Sequence, residues 1–163
     1  MKLLKLFVVL IASLPVMLAR RIENPGYECF ANGNEGRHAD GNISKTSDAV
    51  IAERYRLVKI GASAAAVDVC GAADTPIGVC TDEAKAIGDS VNVALLGAIK
   101  GTIRMVASAA IAQGALLEPA ANGRVATLGG GAGTHHVVGR ALDAAGAAGD
   151  VIEVQPFYFL RVI

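Results

Sequence analysis

The residues best equipped for chemistry are three histidines, three cysteines and a set of regularly placed aspartates. His135 and His136 are adjacent and follow the glycine-rich stretch Gly129–Gly133. Neighbouring residues on a strand point to opposite faces, so this pair is poorly placed to chelate one metal. His38 lies in a polar stretch with no second His or Cys at ligand spacing, and reads as a solvated side chain. Cys29, Cys70 and Cys80 are odd in number and form no CxxC motif, which argues against a zinc site and a disulfide framework. They read as small buried thiols, with a Cys70–Cys80 bridge left open for an oxidising compartment. Gly129–Gly133 has the composition of a phosphate-cradling loop but lacks the Lys-Ser/Thr that would complete it. Ser63 and Ser108 stand outside any G-x-S-x-G setting. No catalytic, cofactor or metal residues are therefore assigned, and a hydrolytic role for His135 or His136 is the weakest of the functional readings.

The aspartates find their explanation in a repeat. Gly78–Val93 (GVCTDEAKAIGDSVNV) aligns without a gap on Gly139–Val154 (GRALDAAGAAGDVIEV) at an offset of 61. Asp82 matches Asp143 and Asp89 matches Asp150. Gly88-Asp89 and Gly149-Asp150 read as tight turns, glycine accepting positive φ and the aspartate binding local backbone N–H groups. Each turn launches an alternating segment, so Val91 and Val93, like Ile152 and Val154, should enter one face of a sheet. The intervening Asp-x-Ala-x-Ala stretch is expected to lie flat on the surface.

The elements carrying these turns are short strands. Tyr55–Ile60, Ala65–Val69, Ile77–Cys80, Ser90–Leu95, Gly101–Ser108, Ala115–Glu118, Arg124–Leu128, Val137–Leu142, Val151–Val154 and Phe157–Ile163 are branched, apolar or alternating. Asn122-Gly123 is a hairpin signal. Strands at this spacing predict a mainly β fold, a small sandwich or barrel with an internal duplication, spanning residues 51–163. The chain is 53% hydrophobic but only 4% aromatic, so the core must be built from Ala and Val. At about 25 cal/mol per Å² of apolar surface buried, such a core stabilises a lone subunit modestly, and oligomerisation would help.

Residues 20–50 are dense in Gly, Asn, Asp and Ser and read as an irregular arm, with Arg20–Asp48 expected to order only on a partner surface. The triplet Asn42-Ile43-Ser44 is a formal glycosylation sequon. Residues 1–19 place two lysines before an apolar run, Leu6–Leu18. Three readings fit: a cleaved signal peptide, a hydrophobic structural helix, or a start codon assigned too far upstream. The run falls short of the roughly 20 residues of a membrane span, so no stable membrane partner is expected. Fifteen basic and fifteen acidic residues cancel, which removes the cationic excess that nucleic-acid binding needs.

The stretch from Tyr55 to Val154 resembles the phage capsid-cement, or head decoration, proteins. The residues carrying the resemblance are YRLVKIG (Tyr55–Gly61), PIGVCTDEAKAIGDSVNVALLG (Pro76–Gly97), IAQGALLEPAANGRV (Ile111–Val125) and VVGRALDAAGAAGDVIEV (Val137–Val154). The resemblance implies a non-enzymatic, β-rich virion protein that binds the major capsid protein on the outside of the lattice, as a homotrimer or other homo-oligomer. The rival of a different class is a secreted or periplasmic β-domain binding a small ligand or glycan.

Overall fold

The computed structural model is described for residues 40–163. The expectations for residues 1–19, for Cys29 and His38, and for the arm up to residue 39 lie outside these. Ten strands occur among the described residues: β1 (Asn42–Ser47), β2 (Arg56–Ile60), β3 (Ala66–Val69), β4 (Gly78–Cys80), β5 (Ser90–Leu95), β6 (Ile103–Val106), β7 (Leu116–Pro119), β8 (Val125–Thr127), β9 (Thr134–Ala141) and β10 (Val151–Val162). One 3₁₀ turn, Ala121–Gly123, joins β7 to β8. Asn122 and Gly123 both have positive φ there, as the Asn-Gly signal requires.

The first five strands close into a barrel in the order β1-β3-β2-β4-β5, with β1 antiparallel to β5 and parallel to β3. The second five form the sheet β6-β10-β9-β7-β8, whose outer strands are linked by a parallel bridge between Ala107 and Val125. Followed around from β6, that order repeats the first barrel strand for strand. The duplication therefore covers the whole described unit rather than the sixteen aligned residues alone.

Both copies are held by the same bonds. The Gly88 N–H donates to the Ser47 carbonyl at 2.7 Å, and the Gly149 N–H to the Ala107 carbonyl at 2.9 Å. Both turn glycines have positive φ, 91° and 94°. Asp89 Oδ2 accepts from the N–H groups of Lys85 and Ala86, and Asp150 Oδ2 from those of Gly146 and Ala147. The stretch before each turn lies on the surface, as expected, except for its central alanine. Ala84 and Ala145 are buried and bridge to Ile51 and Ile111.

Seven buried side chains fill the first barrel: Ile51, Val58, Val67, Cys80, Ala84, Val91 and Val93. Each has a buried counterpart in the second copy, in the same order: Ile111, Leu117, Val125, Ala141, Ala145, Ile152 and Val154. The outward faces of β2, β4 and β5 contribute Leu57, Val79 and Ala94 to that second cluster, where the two copies meet. This explains why Val79 and Cys80, neighbours on β4, are both fully buried. The loop between β7 and β8 fastens the junction: Arg56 Nη1 donates to the Asn122 carbonyl at 3.2 Å and the Gly123 N–H to the Cys70 carbonyl at 2.7 Å.

Two expectations change. Asn42–Ser47, placed in an irregular arm that orders only on a partner, is a strand of the closed barrel, paired in register with Ser90–Ala94. Its polar sequence hides a strand because the backbone ladder, rather than an apolar face, holds it. Cys70 and Cys80 are free thiols in different clusters, Cys70 at the junction and Cys80 inside the first barrel, so they do not pair. Burial pushes the Cys70 thiol up to about 12 and raises Cys80 as well. Both should resist alkylation in the native protein and react only on unfolding, as mass mapping of the labelled cysteines would read out.

Glycine at the matched positions 78 and 139 is set by space. A Cβ on Gly78 would lie 2.6 Å from the Ala94 carbonyl oxygen, and one on Gly139 would lie 2.7 Å from that of Gln155. Gly78→Ala and Gly139→Ala should each cost about 1–3 kcal/mol in urea denaturation, and by similar amounts if the two copies are physically equivalent.

Candidate interaction surface

The two copies differ most at β9 and β10. Their counterparts β4 and β5 have three and six residues, whereas β9 has eight and β10 twelve. β6 pairs with β10 only over Val151–Val154, and β7 meets β9 only at Gly139 and Arg140. Beyond those points Thr134–Val138 and Pro156–Val162 run on as a two-stranded ribbon. Phe159 pairs with Val137, Leu160 with His136, Arg161 with His135 and Val162 with Thr134. Reciprocal 3.0 Å bonds between Gly133 and Ile163 extend the ladder. Residues 151–154 and 157–163, expected as separate strands, are thus one strand with a register shift between Pro156 and Phe159.

The β10 strand of the ribbon is apolar yet exposed from Tyr158 onward, whereas Val137 and Val138 on β9 are buried. Leu160 is 55% and Val162 78% accessible, and Tyr158, Phe159 and Ile163 are exposed as well. Phe157 and Phe159 stack with ring centroids 5.7 Å apart, and Tyr158 stacks on His136 at 5.9 Å. The continuous run FYFLRVI signals a strand buried on both faces, and only the structure reveals that Tyr158–Ile163 is exposed while Phe157 is half-buried. The signal that could have marked it is composition: three consecutive aromatics in a chain with so few.

Near the far end of the ribbon, where His135 pairs with Arg161, His135 Nδ1 lies 2.6 Å from Glu118 Oε2 and Nε2 lies 2.9 Å from the Gly131 carbonyl. Two acceptors for two ring nitrogens suit the imidazolium, which donates from both. The hydrogen bond with Glu118 raises the His135 pKa, the Gly131 carbonyl adds to it, and burial and Arg161 oppose it. The other oxygen of Glu118 accepts from the Gly129 N–H at 3.1 Å. A carboxylate of the protein therefore engages the glycine-rich loop where a phosphate-binding reading would put a ligand. Glu118, 17 residues from His135, could not be picked out from the sequence.

His136 points elsewhere, its Nδ1 2.7 Å from Tyr158 Oη, so the two histidines do not converge. Asp82 Oδ2 accepts from the Asn92 N–H at 3.0 Å, and Asp143 is exposed. Ser63 and Ser108 serve through their main chains, Ser63 accepting from Ala66 and Ser108 donating to Val125. Among the described residues, no group of three or more His, Cys, Asp or Glu is gathered to hold a metal. A cleft lined by Ile51, Glu53, Arg56, Asn122 and Arg124 opens at the junction of the copies, but Arg56 is already paired with Glu53.

The chain matches the family model described as phage cement protein over residues 38–156, a span that includes both copies. Among solved structures it is similar to the head fiber gp8.5 N base of bacteriophage phi29. The TM-score is 0.54 at 16% identity, covering 69% of this chain and 90% of that one. At that identity the likeness speaks for the fold. No curated protein matches the sequence.

The ion pair between His135 and Glu118 makes stability depend on pH. A histidine whose pKa rises on folding contributes stability fully present below the ordinary value of 6.5 and lost as pH climbs through the raised one. The melting temperature should therefore fall as pH rises above about 6.5, and Glu118→Gln should flatten that slope. An unchanged slope in the variant would assign the effect to another group.

Proposed function

The chain belongs to the phage cement protein family, and on that basis we propose that it is a structural virion protein that binds the outer surface of a phage capsid and stabilises the head lattice. The observation that carries this reading is that the family match covers both copies of the duplicated unit rather than a fragment of one. Its partners are the major capsid protein and further copies of itself, and it acts without catalysis. A small barrel and a duplicated sheet joined through a shared core form a block suited to bridging neighbouring subunits without losing much conformational freedom on docking. A protein that binds only the assembled state stabilises it by mass action, in proportion to the logarithm of its concentration over its Kd. Equal numbers of acidic and basic residues fit a protein-protein role and leave no cationic excess for nucleic acid.

The test is co-sedimentation of the purified protein with expanded, undecorated capsids. It should pellet with them at about 10 µM protein, the range of a micromolar Kd, and saturate at a fixed ratio to capsid subunits. Protein left in the supernatant at that concentration would overturn the proposal.

A further inference from the structure

The exposed ribbon of β9 and β10 is absent from the first copy, which closes its barrel without one. The barrel therefore does not require it. Isolated two-stranded ribbons are marginal in water, and large exposed apolar patches mark interaction sites. A bare strand edge is also a template for pairing with another chain. The outer edge of β10 beyond Val154, and that of β9 before Gly139, have no backbone partner among the described residues.

We propose that this ribbon docks on the ribbon of a second copy of the chain, through the β10 edge and the side chains of Tyr158, Phe159, Leu160 and Val162. Three observations favour a second copy. Docking at a strand edge needs a partner with bare extended backbone. This chain carries two such edges side by side, while the first barrel is closed. From Pro156 to Ile163 the only charged residue is Arg161, and the chain has no net charge, so identical surfaces meet without strong repulsion. The aromatic, charge-poor composition is that of homo-oligomeric interfaces. The inference rests on the homo-oligomer of the reading above and names its surface.

Sedimentation velocity on the full chain, with no capsid present, tests it, so its failure leaves capsid binding untouched. The wild type should self-associate. Leu160→Asp and Val162→Asp, at exposed positions, should weaken association by about tenfold or more, whereas Ile87→Asp, at an exposed site in the first copy, should not. Hydrogen exchange on the wild type supplies a readout free of folding effects: amides of residues 157–162 should gain protection as concentration rises. A wild type that stays monomeric, variants that associate as before, or ribbon amides protected only on capsids would each overturn the proposal, the last by assigning the surface to the shell.

Discussion

A closed barrel of five strands, each three to six residues long, leaves little room inside. The first barrel holds seven side chains, none larger than Ile51 and none aromatic. Much else follows from that constraint. The alanine- and valine-rich composition is what such an interior admits. Glycine at positions 78 and 139 lets a neighbouring strand cross where a methyl group would collide with its backbone. Small side chains also stand at Ala84 and Ala145, buried where the chain bridges to Ile51 and Ile111. Because one small interior stabilises little, the outer faces of β2, β4 and β5 are apolar too, and the second copy covers them.

This also explains what the sequence revealed and what it concealed. The Gly-Asp turns and the strands after them were legible, because the turn chemistry needs particular residues and β5 and β10 keep a constant offset of 61. The rest of the duplication escaped, because its offset drifts: Ile51 corresponds to Ile111 at 60 and Val58 to Leu117 at 59. Loop-length changes of one or two residues erase a fixed-register alignment while leaving the backbone ladder intact. β1 was hidden by its Asn, Ser, Lys and Thr, since a strand held between two neighbours by main-chain bonds has no need of an apolar pattern. Of the candidate surface, the sequence offered the run Phe157–Ile163 and the histidine pair. Exposure of the first and the Glu118 partner of His135 depend on contacts across the sheet that no local pattern encodes.

The two copies share a framework and differ in what they present. The first is closed and supplies the junction. The second carries the ribbon, anchored where Glu118 ties His135 and the Gly129–Gly133 loop together. A closed barrel and a duplicated sheet with one apolar extension are the framework of a chain that belongs to the phage cement protein family.

The central claim is that binding by this protein strengthens the phage head. Differential scanning calorimetry of undecorated capsids, alone and with added protein, addresses it most directly. The account predicts that the capsid disruption endotherm moves to higher temperature with protein concentration until sites saturate. An endotherm that stays in place while the protein is demonstrably bound would contradict it.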